Sequence, residues 1–336
     1  MKNKILLYDV TLRDGSHAIA HQFSKEQFVH YAKLAEIAGI PYIEAGHGNG
    51  LGASSLLVGK SLISDETIIK SIKEQLTKTK LSIHDIPGFA TINGNLSKAI
   101  DYGVDLVRVA SHCTEADITE RHIGYVRERG KEAYGVLMMS HMADKEILLE
   151  EAYKMQSYGA EAIIIMDSAG YYLPRDVSER IHLLSKSLNI PVGFHAHNNL
   201  GMSIANSVAA IESGARIIDG SIRGFGAGAG NASIEVLVAV LSKMEIETGI
   251  DLYKILDAAE EAEQSIISNV PVIANTSIVS GLAGVFSGFA KHVKRLSKEY
   301  SIDPRDLFFE LGKKQVVAGQ EDIIVETAIE LSENVE

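Results

Sequence analysis

Four stretches of this chain repeat one design: "AGIPYIEAGHG", "YGVDLVRVASH", "YGAEAIIIMDS" and "SGARIIDGSIR". In each, a small residue or tyrosine precedes a glycine, a short spacer follows, and an apolar run then ends in polar groups. Glycine just past a helix C-terminus takes the left-handed conformation that stops the helix. The Ile- and Val-rich run reads as a parallel strand covered on both faces, and its polar tail marks where the strand leaves the core. A repeated helix–glycine–strand unit leaves few folds open, because parallel strands need helical crossovers between them.

Reading the whole chain this way gives eight strand candidates: 4–11, 42–46, 81–86, 106–111, 135–140, 162–167, 192–197 and 217–222. Segments of helical period lie between them, such as "SKEQFVHYAKLAEIAG" and "PRDVSERIHLLSKSLN". Ser24 followed by Gln27 reads as a capping box, and Pro174 suits a helix start. The Gly- and Ser-rich stretch 48–62 reads as a loop. Eight such units predict an α/β fold of the (β/α)8 TIM-barrel type, closing near residue 245. An open doubly wound sheet would bind ligand at one switch point and would not need polar residues at almost every strand end. We therefore expect a catalytic barrel over residues 1–248 and a mostly helical C-terminal domain, 249–336, packed on it. In that second part "DIIVET" is the one strand-like run, and the acidic "DAAEEAEQ" reads as a solvated helix face.

Composition narrows the function. A net charge of −12, with no long basic run, argues against nucleic acid and anionic membranes as partners. No apolar stretch is long enough to span a bilayer, and the run after the N-terminal lysines is too short for a signal peptide. The single cysteine, Cys113, excludes an intramolecular disulfide and fits a cytoplasmic protein. With no base in the pattern to activate it, Cys113 reads as a small buried hydrophobe.

Catalytic residues of such barrels sit at the C-terminal strand ends, where the βα loops converge on one mouth. "YDVTLRDGSH" carries Arg13, Asp14 and His17 into that mouth from the first strand. In "GFHAHNNLG" the alternation of a strand places His195 and His197 on one face. Two imidazoles and the Asp14 carboxylate make a ligand set for Mn²⁺, Co²⁺, Zn²⁺ or Fe²⁺ with positions left for substrate oxygens. The structural alternatives are plain: Arg13 in a salt bridge with Glu44, His17 in an exposed loop, Asn198 and Asn199 as turn formers. Glu44, His47, Arg108, Ser111, His112, Ser140, His141, Asp167 and Ser168 are further mouth candidates. Arg108 could bind a carboxylate or face the helices, and Asp167 could only cap a turn. "GFGAGAGNAS" matches no nucleotide-binding spacing and reads as a loop in close approach over the mouth.

Taken together, "DVTLRDGSH", "HCTEAD", "LMMSHM", "HAHNNLG", "GAGAGNA" and "VAGQEDIIV" resemble the 4-hydroxy-2-oxovalerate aldolases, class II pyruvate aldolases of the HMG-CoA lyase-like superfamily. The resemblance runs from Leu7 to about Ile329. It implies a divalent metal, Mn²⁺ first and Co²⁺, Zn²⁺ or Mg²⁺ after it, held by Asp14, His195 and His197. It implies that Arg13 holds the keto oxygen and the enolate formed from it, that His17 is the base on the 4-hydroxyl, and that Ser168 seats the pyruvate carboxylate. The chemistry agrees: cleaving C3–C4 of a 4-hydroxy-2-oxoacid leaves an enolate whose charge needs a Lewis acid and a fixed cation, and imidazole titrates where the proton moves.

Departures from the family pattern bear on the acceptor side. His84 and Asp85 stand in "IHDIPG" where aliphatic residues usually shape the aldehyde pocket, so a more polar aldehyde than acetaldehyde is expected; the alternative is that they pair with each other or point at the helices. Phe286 stands in place of a tyrosine of that pocket. Ala318 replaces a glycine near the channel toward an acylating aldehyde dehydrogenase, so Phe286 and Ala318 weigh against that partner. A homo-oligomer or hetero-complex remains the expected state. Two other functions share these motifs: a Claisen-type acyl-CoA condensing enzyme of the isopropylmalate or citramalate synthase type, and a catalytically silent paralogue.

Overall fold

The structure, a computed structural model, describes residues 4–317 and 319–333. Eight parallel strands close into one barrel in chain order: β1 (Leu6–Asp9), β2 (Tyr42–Glu44), β3 (Lys80–Asp85), β4 (Leu106–His112), β5 (Glu132–Met138), β6 (Ala162–Asp167), β7 (Val192–Ala196) and β8 (Ile217–Gly220). Closure is made by β1 on β8, with Tyr8 opposite Asp219 and Asp9 opposite Gly220. Each expected strand is present. The fifth begins three residues earlier than 135, because "KEAY" lacks an apolar signal although it pairs along β4. It stops at Met138 because Met139 turns into the left-handed region at φ 52°.

Alternation sorts the strand residues into two cores. Leu7, Ile43, Ile83, Val107, Ile163 and Phe194 face outward into the layer under the helices. Tyr8, Tyr42, Leu106, Tyr134, Ile164 and Ile217 fill the barrel interior. The helices start and stop on local chemistry. Helix Lys25–Ala38 opens on a capping box between Ser24 and Gln27 and closes on Gly39 at φ 79°. Helix Pro174–Ser187 has its proline in the first turn, where no amide partner is lost.

After β8 and helix Ile234–Lys243, helix Leu252–Ser265 lies against helix Lys25–Ala38. Its Ile255, Ala259 and Ala262 join the outer barrel core, while Glu260, Glu261 and Glu263 of the acidic stretch face solvent. The expected boundary at 248/249 thus precedes a helix that packs with the barrel. Helices Asn275–Ala283, Ala290–Glu299, Pro304–Lys313 and Glu321–Glu333 build a separate core around Phe289, Val293, Phe308, Leu311 and Ile324. A buried phenylalanine such as Phe308 contributes about 1.5–3 kcal/mol there. "DIIVET" is helical, not a strand: its Ile324 and Thr327, with the next residue, Ala328, share one buried helix face. Among the described residues no helix is long and apolar enough to cross a membrane. Ala318 lies outside the described residues.

Candidate active site

Beyond β1 the Val10 carbonyl accepts from the amides of Arg13 (3.1 Å) and Asp14 (2.8 Å), and this turn sets both side chains at the barrel mouth. Arg13 Nε donates to Glu44 Oε1 at 2.5 Å and Nη1 to Asp14 Oδ1 at 2.8 Å, while the buried Nη2 has no protein partner. Burial alone would push the Glu44 carboxyl up, but Arg108, Arg13 and His84 hold it at about 2. The salt bridge to Glu44 and the substrate-facing role of Arg13 are therefore compatible: the pair fixes the guanidinium and leaves one of its nitrogens free.

Asp14 Oδ2 accepts from Asn231 Nδ2 (2.8 Å) and the Ala227 amide (3.1 Å). Burial would raise its pKa, yet His197 and Arg13 keep it well below the ordinary carboxylate range. On β7, His195 Nδ1 donates to Asp219 Oδ2 at 2.9 Å, which leaves the Nε2 lone pair, buried and without a partner, available to a metal. Ligand atoms of Asp14, His195 and His197 all lie within 4.8 Å of one another. The charges agree: buried Asp14, Glu44 and Asp219 stand against Arg13 and Arg108, an excess of one negative charge that a cation would offset. The residues present fit a divalent ion.

His17 lines a cavity of about 630 Å³ between the mouth and the C-terminal helices, shared with His21, Phe286 and Lys291. Burial pulls its imidazole down to about 4, only partly offset by Asp14, so it is neutral and able to accept a proton at pH 7. The Phe286 ring meets it edge-on at 6.4 Å, and His21 stacks on His47 at 3.6 Å behind it. His47 is held by the Gly59 carbonyl and the Asn49 amide. Ser168 Oγ accepts from the Met139 amide at 3.0 Å, which leaves its hydroxyl proton for an anion.

Other expected mouth residues are engaged elsewhere. Asp85 faces outward and pairs with His122 at 2.6 Å, so it points at the helix layer and not at an aldehyde; alternation with the outward Leu81 and Ile83 requires this. His84 faces inward, 3.8 Å from Glu44, and burial pulls it down to about 3. Arg108 does not face the helices: it pairs with the carboxylates of Glu44 and Asp219 inside the barrel. Asp167 caps the turn at Tyr171 and Tyr172. Asn198 Oδ1 accepts from the amide and hydroxyl of Ser203 at the start of helix Ser203–Glu212. Asn199 Nδ2 donates to the Ser277 carbonyl and its Oδ1 accepts from Ser287, joining the mouth to the C-terminal helices, as His141 does through the Gly284 carbonyl. Ser140 accepts from Tyr172, Ser111 donates to the His112 carbonyl, and His112 meets Thr114. Cys113 is buried against the Met139 carbonyl, and burial pushes its thiol up to about 12. Sequence reading missed Asn231 and Asp219. Both were legible as lone polar residues, one in the glycine-rich loop and one at the end of "IID".

The HMGL-like family matches residues 4–261, and the DmpG-like communication domain matches residues 271–333. Two proteins named 4-hydroxy-2-oxovalerate aldolase are similar over almost the full chain. That of Pectobacterium atrosepticum is 62% identical, covering 99% of this chain and 97% of its own. That of Spirochaeta aurantia is 58% identical, covering 97% and 96%. The chain belongs to the 4-hydroxy-2-oxovalerate aldolases of the HMGL-like family. It is an aldolase, a carbon–carbon lyase, and the family implies a divalent metal. A Claisen-type assignment is not supported by these matches. The carboxyl transferase domain from Rhizobium etli pyruvate carboxylase shares the fold of the aldolase, with a TM-score of 0.80 at 16% identity over 99% of this chain and 61% of that one.

Proposed function

We propose that this aldolase cleaves 4-hydroxy-2-oxovalerate to pyruvate and acetaldehyde and catalyses the reverse condensation. The observation that carries the reading is the convergence of Asp14, His195 and His197 beside the half-satisfied Arg13 guanidinium. Those three residues would hold the ion, Mn²⁺ by preference, and when bound it supplies Lewis-acid stabilisation of negative charge on a 2-oxoacid. Arg13 holds the keto oxygen through Nη2. His17 accepts the proton of the 4-hydroxyl, the C3–C4 bond breaks, its electron pair moves into the enolate, and the aldehyde leaves. Protonation of C3 then gives pyruvate. The Ser168 hydroxyl seats the carboxylate, and Phe286 walls the aldehyde side with hydrocarbon. Asp85, one of the two residues behind the expectation of a polar aldehyde, turns to the helices, while the other, His84, stands beside Glu44 inside the barrel; a small apolar aldehyde suits the Phe286 wall.

The match of residues 271–333 to a communication domain supports assembly with an acylating aldehyde dehydrogenase, despite Phe286 and Ala318. The single cysteine, Cys113, free and buried, supports a cytoplasmic location. Pyruvate alone, in deuterated water with Mn²⁺, should exchange its methyl protons, and a chelator should stop the exchange. Arg13→Ala should lower exchange at least ~100-fold. His17→Ala should slow cleavage by ~10²–10⁴-fold with Mn²⁺ affinity retained. Exchange that persists without divalent ions would defeat the proposal, as would strong preference for polyhydroxylated 2-oxoacids defeat the choice of aldehyde.

A further inference from the structure

The barrel interior carries charge where such barrels normally stack hydrocarbon. Glu44, Arg108 and Asp219 come from the even strands β2, β4 and β8, each two residues beyond an inward apolar residue: Tyr42, Leu106 and Ile217. Arg108 is fully buried, the largest side chain so placed. Its Nη2 donates to Asp219 Oδ2 at 2.7 Å, the same oxygen that accepts from His195 Nδ1 at 2.9 Å. Its Nη1 lies 3.3 Å from Glu44 Oε2, while Glu44 Oε1 accepts from Arg13 Nε. The guanidinium carbon lies over the Tyr8 ring, 4.4 Å from its centroid. The five groups form one chain, His195–Asp219–Arg108–Glu44–Arg13, with Arg108 at its centre.

We propose that Arg108 is a positioning residue that ties the metal-ligating imidazole of His195 to the substrate-facing guanidinium of Arg13, through Asp219 on one side and Glu44 on the other. The inference rests on the assignment of His195 and Arg13 in the proposed function. A buried ion chain is a poor way to gain stability, because apolar residues of similar volume do as well or better. What it supplies is orientation. Arg108 shares Asp219 Oδ2 with His195, so it limits how strongly that oxygen draws the Nδ1 proton and fixes where the imidazole stands. On the other side its charge, 3.3 Å from Oε2 without a hydrogen bond, favours the Glu44 placement that Arg13 Nε requires. A lysine has the charge but presents one point, and cannot reach both carboxylates in this way.

The test uses the full-length enzyme and two readouts, the Mn²⁺ dissociation constant measured by titration and the kinetics of pyruvate methyl exchange. Arg108→Met, which keeps most of the volume, should weaken Mn²⁺ binding ~10–100-fold and also raise the KM for pyruvate, although Arg108 touches neither. Arg108→Lys should show both defects in milder form; it serves as the measured variant if the methionine variant fails to fold. In Glu44→Gln the pyruvate KM should rise, and adding Arg108→Lys should cost less than in the wild-type background, since the link is already broken. Folded Arg108 variants with Mn²⁺ affinity and pyruvate KM within about twofold of wild type, or with independent additive effects, would overturn the coupling. His197→Ala separates the two levels. If it binds Mn²⁺ as tightly as wild type, the metal assignment itself is wrong and the inference falls with it; if it loses the ion while Arg108 variants keep it, the inference alone is wrong.

Discussion

Gly226 shows how finely single positions set this site. A Cβ there would press against both Asp14 Oδ2 and Asn231 Nδ2, closer than real Cβ atoms approach, while its backbone angles demand no glycine. Gly226→Ala should therefore disturb the acidic ligand without straining the chain. We expect Mn²⁺ affinity to fall ~10–100-fold, with unfolding free energy changed by about 1 kcal/mol or less, read by metal titration and denaturant unfolding. Equal losses of stability and affinity would show that the loop is structural first. The same scale explains why Asp85 misled: its type suggested a binding group, but alternation along β3 decides its face, and that face carries His122.

Between elements, the joint of helix Lys25–Ala38 with the turn before β3 depends on one carboxylate. Glu36 accepts from the amides of Thr77 (3.2 Å), Lys78 (3.0 Å) and Thr79 (3.0 Å) and from the Thr77 hydroxyl. Burial would raise its pKa, but together these donors hold it at about 2, below the ordinary 4.5. The folded state thus favours the ionised form, so this stability is present above the ordinary value and is lost as pH falls toward about 2. Denaturant unfolding of Glu36→Gln against wild type should show a difference that is largest near neutrality and shrinks steadily on acidification; a gap independent of pH would count against the charge as its source. The capping box at Ser24 and the proline of the sixth crossover were readable because they are local. "DIIVET" was misread because six residues cannot tell period 2 from period 3.6, and the deciding contacts with Phe308 and Val293 come from other helices.

At the scale of the molecule, the C-terminal helices have their own core and reach the mouth through few polar links, with Asn199 making contacts to Ser277 and Ser287. Asn199→Ala should raise amide hydrogen exchange across 275–333 more than in the barrel strands and destabilise by about 1–3 kcal/mol; uniform exchange changes would mean the two cores unfold as one. By itself the sequence determined the closed barrel, since four glycine-stopped helix-to-strand repeats within eight doubly covered strands admit little else, and it picked out the candidate metal-ligand group, since strand alternation and a shared mouth bring Asp14, His195 and His197 together. Only the tertiary structure decided which buried polar groups meet: that Arg108 bridges Glu44 and Asp219, that Asn231 reaches Asp14, and that Asp85 finds His122. The reason is physical. Periodicity is carried by each segment alone, whereas the pairing of buried charges depends on which strands stand opposite each other once the barrel has closed.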